Sequence, residues 1–343
     1  MIMARRNLHF TLLVLTLLFV SINDSFASQP FYSVDESKTF NHDTTLNLLH
    51  TSYTIESIQE PDNEPLEIIQ PKPAEKTVLA NKISSEKEAN ENLFSLSQHK
   101  TNYILPLSYV SNPNTITLDG VGEENIENLE AKYQVSIKTP LYVTKNDLTG
   151  VYFAFTAVSY WQLYSDEISK PFRETNYEPE LFYQFTSEYD VLGYQFNMFR
   201  IGINHMSNGQ NGLKSRSWNR IIATALFSDE SSAYYLKAWY RLPEDEKIDP
   251  LDPTGDDNPD ITDYYGKIEL GFASKLGNFN VFSRIRNNLS LSDNRSGIEL
   301  DFSYQLNDRY DLLIQYFNGY GDSLIDYNRH QQRISLGFKL RFI

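Results

Sequence analysis

From about His99 onward, apolar residues fall at every second position. Leu129, Ala131, Tyr133, Val135 and Ile137 alternate with Glu130, Lys132, Gln134, Ser136 and Lys138. Ile298, Leu300, Phe302, Tyr304 and Leu306 alternate with Glu299, Asp301, Ser303 and Gln305, and Ile334, Leu336, Phe338, Leu340 and Phe342 with Ser335, Gly337, Lys339 and Arg341. A period of two marks strands with one face in an apolar medium and the other in a polar one. A soluble β-sandwich alternates as well, but its polar face is outside and its apolar faces fill a thin interior. Here the polar face carries whole rows of charge, which suits a barrel with a polar lumen and lipid outside. Interfacial girdles on such a barrel account for an aromatic content of 14%, from 23 Tyr, 21 Phe and 3 Trp.

Twelve strands are expected, near 99–110, 129–141, 150–163, 175–189, 195–207, 218–228, 233–241, 262–276, 279–287, 296–306, 310–320 and 333–342. Connections after even strands are mostly short, as at Ser228 to Ser232, Gly277-Asn278 and Asn307-Asp308. Those after odd strands are mostly longer, notably Leu242 to Ile261 and Gly321 to Gln332. Outer-membrane barrels have short periplasmic turns and long external loops, so the odd-strand loops should face outward. An even strand number returns both barrel ends to the periplasm, and closure removes the unpaired edges that lipid does not tolerate. The expected fold class is therefore all-β: a twelve-stranded antiparallel transmembrane β-barrel over 96–343.

The preceding residues read differently. Arg5 and Arg6 lead into an apolar run from Phe10 to Val20, and Ser25-Phe26-Ala27 supplies small residues around a cleavage point. This is the anatomy of a secretory signal peptide over 1–27. The alternative, a membrane-anchoring helix, needs ~20 apolar residues, and this run is short for that. Residues 28–95 show no sustained period, and Glu56 to Glu91 is rich in Glu, Pro, Asn, Lys and Ser. Such a composition buries too little apolar area to offset its ordering entropy, so a flexible periplasmic extension is expected. The net charge of −15 argues against nucleic acid as a partner. With no cysteine, disulfides, a thiol nucleophile and thiolate metal sites are excluded.

The candidate site lies in "IGINHMSNGQNGLKSRSWNR", Ile201 to Arg220. His205 and Ser207 share parity with Phe199, Ile201 and Ile203, so all five project from one face, with Asn197 at its periplasmic start. On the next strand Asn219 shares parity with Ile221, Ala223, Ala225 and Phe227. An antiparallel register centred on Gly212 sets His205 opposite Asn219, where Cβ atoms lie ~4.5–5.5 Å apart. The polar trio then sits at the extracellular end of the lipid face. Two accounts fit this spacing. In one the residues stand at headgroup height, where polarity is cheap. In the other they are a nucleophile, a base and an orienter: Ser207 attacks, His205 takes its proton, and Asn219 fixes the imidazole tautomer.

Several blocks bear on that choice. "YWQLYSDEISKPFRETNYEPELF" from Tyr160, "NHMSNG" with "SRSWNR", "DDNPDIT" from Asp256 and "GYGDSLIDYN" from Gly319 together resemble the outer-membrane phospholipase A family over roughly 150–340. The resemblance implies a twelve-stranded barrel that hydrolyses acyl esters of membrane phospholipids and lysophospholipids, of A1 and A2 type. It implies Ser207 as nucleophile, His205 as general base, Asn219 as orienter and the Gly209 amide as part of the oxyanion hole. It implies calcium held by the main-chain carbonyls of Gln210 and Ser215 and by the hydroxyl of Ser169 of the partner subunit in a homodimer. Calcium is a hard cation taking oxygen ligands, and its charge suits a developing oxyanion. "GDDNPD", with Asp257, looks like a second calcium loop or a plain acidic loop; it lacks the spacing and closing glutamate of an EF-hand. Departures from the family pattern are Met206 at a commonly acidic position, Gln210 at a common arginine, and Ala157 at an interface glutamine.

Two rivals remain. A passive pore would use the charged lumen residues Arg284, Arg286, Glu299 and Asp301, although opposite charges better cross-link a narrow, filled interior. The second is a catalytically silent adhesive barrel with long loops.

Overall fold

The computed structural model describes residues 86, 96–117, 123–144, 148–166, 172–249, 251–252 and 254–341. The signal-peptide stretch 1–27 and all of 28–95 except Glu86 lie outside the described residues, as does Ser169. The strands are β1 (Ser97–Gln98), β2 (Asn102–Val110), β3 (Leu129–Val143), β4 (Gly150–Trp161), β5 (Phe172–Val191), β6 (Tyr194–Ser207), β7 (Ser217–Ser228), β8 (Ser232–Arg241), β9 (Ile268–Leu276), β10 (Phe279–Asn287), β11 (Ser296–Gln305), β12 (Tyr310–Gly319) and β13 (Gln331–Leu340). Each pairs antiparallel with its sequence neighbour from β2 to β13, and β13 closes onto β2. The two-residue β1 pairs with the same edge of β3 as β2 does, so β1 and β2 are one barrel strand interrupted at His99–Thr101. The barrel therefore has twelve strands.

Alternation decides which way each side chain points. On β13, Ile334, Leu336 and Phe338 are exposed, while Arg333, Ser335 and Lys339 are buried inside. Inside, many of the charges are paired. Arg333 reaches Glu130 at 2.8 Å and Asp322 at 2.6 Å, Arg173 reaches Glu130 at 3.0 Å and Asp326 at 2.7 Å, and Arg284 reaches Glu269 at 3.2 Å. An unpaired charge in this water-poor interior would be expensive, so such pairs come as a linked set. The segment between β12 and β13 turns back into the external mouth, where Asp322, Leu324, Ile325, Asp326 and Tyr327 are all buried. This segment closes off the external mouth, which argues against an open pore.

Three expectations change. Position 262 is not the start of a strand: Ile261–Tyr265 is a short helix, α1, and β9 begins at Ile268. The apolar residues Ile261 and Tyr265 lie four apart and pack together against Trp218 and Trp239 behind β7 and β8. Gly266, at φ 94°, ends the helix where a Cβ would come within 2.7 Å of the Asn287 carbonyl oxygen. The first strand is broken because His99 and Lys100 turn into the lumen. There Lys100 meets Glu178 at 2.5 Å and His99 meets Glu180 at 3.0 Å. Asn197, placed by parity on the lipid face, is buried instead. The ladder slips by one residue between Phe196 and Met198, and the resulting bulge lets Asn197 accept a hydrogen bond from the Ser228 hydroxyl at 2.8 Å. Of the residues before the barrel, the described Glu86 pairs with Lys138 at 2.8 Å.

Candidate active site

β6 and β7 form a hairpin whose outer face bears the polar residues. Their register sets Asn204 opposite Arg220, His205 opposite Asn219 and Ser207 opposite Ser217. Odd positions face lipid: Ile201, Ile203 and Ile221 are exposed, and His205, Ser207 and Asn219 are half-buried at the loop end of the same face. His205 Nδ1 and Asn219 Oδ1 are 2.8 Å apart. The asparagine oxygen can only accept, so the imidazole carries its proton on Nδ1 and leaves Nε2 with a free lone pair. That tautomer is the one a general base needs.

Behind this outer layer lies a packed inner one. Trp218 is fully buried between Ser217 and Asn219 in the chain and meets Trp239 and Tyr265 edge-on. Arg220 stacks 4.1 Å above the Trp218 ring, donates to Asn204 Oδ1 at 2.6 Å and 2.9 Å, and pairs with Glu178 at 3.1 Å. Met206 is buried in the same cluster and so faces away from lipid.

The hairpin loop is built around Asn208, which no motif or spacing singles out. Its Nδ2 donates to Lys214 O at 2.8 Å and Glu174 Oε2 at 3.1 Å, and its Oδ1 accepts from Arg216 N at 3.0 Å and Gln210 N at 3.3 Å. Gly209 follows at φ 63°, a backbone conformation that favours glycine, with the Tyr177 ring at van der Waals distance from where a Cβ would stand. Tyr177, opposite Ser207 on β5 and exposed on the lipid side, walls the other flank of the serine. Glu244, in the β8–β9 connection, accepts from Asn219 Nδ2 at 3.1 Å. Neither Tyr177 nor Glu244 carries a local sequence signal, because strand pairing and a long loop bring them to the site.

The loop also turns carbonyl oxygens toward positive charge. Leu213 O and Ser215 O accept from the Arg216 guanidinium at 2.9 Å and 2.6 Å. A carbonyl oxygen has two lone pairs, so Ser215 O retains one beyond this bond. Backbone carbonyl oxygens are the donor type a hard metal ion takes, and the Arg216 guanidinium occupies one approach to Ser215 O. Asp257 is engaged differently: its carboxylate pairs with Lys247 and accepts from Ser215 Oγ at 2.7 Å and Ser217 Oγ at 3.5 Å. Asp256 pairs with Arg241 at 2.6 Å. The acidic loop is thereby tied to the hairpin, and no cluster of three or more His, Cys, Asp or Glu side chains able to hold a metal occurs among the described residues.

The family model for phospholipase A1 matches residues 79–340, the whole barrel together with the end of the preceding stretch. The chain belongs to the phospholipase A1 family. Phospholipase A1 of Escherichia coli strain K12 is 33% identical over 268 residues, covering 77% of this chain and 86% of that one. The Salmonella typhimurium LT2 protein is 32% identical over 274 residues, covering 78% and 87%. The structure of outer membrane phospholipase A from Escherichia coli superposes with a TM-score of 0.65 at 33% identity, over 73% of this chain and 100% of that one. The Salmonella typhi outer membrane phospholipase, solved as a dimer with bound calcium, gives 0.66 at 32% identity, over 76% and 96%. This chain is accordingly an outer-membrane phospholipase of a Gram-negative envelope, and the silent adhesive barrel is set aside.

Asn208→Ala should loosen the hairpin loop without opening the barrel. Losing its several hydrogen bonds is expected to cost about 1–3 kcal/mol locally. Limited proteolysis should then cut between residues 209 and 216 while the strands stay protected, and hydrolysis should fall.

Proposed function

We propose that the lipid-facing hairpin hydrolyses phospholipid and lysophospholipid acyl esters at either position, with Ser207, His205 and Asn219 as the reacting set. The observation that carries this reading is the 2.8 Å contact between His205 and Asn219 on the outer wall, two residues from a serine on the same face. An acyl chain in the outer leaflet lies alongside Ile201, Ile203 and Ile221, so the ester need not leave the membrane to reach the serine. Ser207 Oγ attacks the ester carbonyl as His205 Nε2 takes its proton, and Asn219 Oδ1 holds the imidazolium that forms. The Gly209 amide donates to the carbonyl oxygen as it gains charge. His205 then returns the proton to the departing glycerol oxygen, leaving the acyl group on Ser207. Water, deprotonated by the same nitrogen, cleaves that ester and regenerates the serine.

Calcium would be held by the carbonyls of Gln210 and Ser215 and by Ser169 of the partner subunit, and when bound would supply positive charge to stabilise the developing oxyanion. On this reading the active form is a calcium-bound homodimer. The dimer contact runs through apolar outward residues, which have little hydrophobic driving force for association in lipid. Ala157, on the outer face between Val135 and Tyr177, brings no polar contact to such an interface.

In refolded protein, Ser207→Ala and His205→Ala should each lower phospholipid hydrolysis by about 10⁴-fold while the barrel stays folded. Asn219→Ala should fall less, by about a hundredfold, because water can partly replace an orienter. Substantial activity in Ser207→Ala refutes the nucleophile, and equal losses at Asn219 and His205 refute the orienting role.

The dimer is tested by following crosslinking and hydrolysis together across a detergent dilution series with calcium. Activity should track the crosslinked species, and both chelation and Ser169→Ala should reduce it. Full activity from a species that stays monomeric throughout contradicts the shared site.

A further inference from the structure

Asn219 is held at both ends. Its Oδ1 faces His205 Nδ1 at 2.8 Å and its Nδ2 donates to Glu244 Oε1 at 3.1 Å. An amide has an acceptor on one arm and donors on the other, and rotating it by half a turn exchanges them. With His205 protonated on Nδ1, the exchanged orientation sets donor against donor. A carboxylate accepts only, so Glu244 admits the productive orientation and rejects the other.

The glutamate is placed for this by the chain around it. Leu242 N donates to Asn219 O at 2.8 Å, which carries the β7–β8 ladder past the end of β8 and keeps the loop beside the asparagine. Arg241 is pinned to Asp256 at 2.6 Å, Asp256 N donates to Asp245 O at 2.7 Å, and Lys247 pairs with Asp257. Glu244 lies between these anchors, and it is half-buried.

We propose that Glu244 is a positioning residue for hydrolysis: it fixes the amide of Asn219 and carries the negative charge of the relay one residue beyond it. This rests on the reading of His205 and Asn219 given above. It also supplies a reason for an amide at position 219. A carboxylate there would face Glu244 at hydrogen-bond distance, and two carboxylates that close do not both ionise. An asparagine lets the charge sit behind it without that conflict.

The test is a cycle of four proteins: the parent, Glu244→Gln, Asn219→Asp and the double variant, each checked for barrel folding by heat-modifiable gel mobility. Hydrolysis is measured on phospholipid in mixed micelles with calcium at mildly alkaline pH. Glu244→Gln should lower kcat by about three- to tenfold with little change in KM, since glutamine keeps the shape but no longer selects one orientation. Asn219→Asp alone should lower kcat by about a hundredfold, because the new carboxylate meets Glu244. The double variant should regain at least about tenfold of that loss, because the glutamine amide can donate to the carboxylate. The same substitution at 244 therefore harms one background and helps the other, which a merely structural glutamate would not produce. A neutral Glu244→Gln with no recovery in the double variant overturns the proposal. Ser207→Ala and His205→Ala run in parallel: if either stays active, the reading of the site fails, and if both are dead while the reversal is missing, only the role of Glu244 fails.

Discussion

Hydrocarbon offers no hydrogen bonds, so every backbone N–H and C=O that crosses it must be satisfied within the protein. In this chain the ladder closes through β13 on β2, and that closure dictates the rest. Alternation sends apolar side chains outward and charged ones into the lumen, where many are paired, as Arg333 is with Asp322. A polar side chain on the outer face is then conspicuous, since it must find its partner sideways along the wall. His205 and Asn219 do so across adjacent strands.

The inner and outer layers of the hairpin depend on one register. Asn204 opposite Arg220 inside and His205 opposite Asn219 outside are consecutive rungs. A one-residue slip of β7 against β6 would turn the side chains of β7 to the opposite face, putting the Arg220 guanidinium in lipid and Asn219 in the lumen, away from His205. The bonds of Arg220 to Asn204 and Glu178 hold that register from within. The charged lumen thus acts as the rigid backing of the proposed site on the outside, so that support and proposed chemistry lie on opposite sides of a single strand pair.

Much of this was legible in the sequence because it rests on period and parity. The twelve strands follow from alternation, and the His205–Asn219 rung follows from a turn centred on Gly212. The errors fall where local geometry departs from the regular period. Asn197 turned inward at a bulge, His99 and Lys100 broke the first strand to pair with Glu180 and Glu178, and Ile261–Tyr265 coiled into a helix within a segment expected to be strand. Long-range partners were silent as well. Glu244 lies twenty-five positions from Asn219, and Tyr177 reaches Ser207 only through the β5–β6 pairing. Asn208 reads as one more polar loop residue until its bonds across the hairpin are seen.

The central claim is that the reacting nucleophile stands on the lipid-facing wall at Ser207. It is tested most directly by treating the refolded protein with a long-chain, serine-reactive phosphonate ester in micelles and mapping the adduct by peptide mass spectrometry. The account predicts one adduct per chain, on Ser207, forming in step with loss of hydrolysis and failing to form when His205 is replaced by alanine. An adduct on another residue that accompanies inactivation, or full inactivation with Ser207 unmodified, would contradict it.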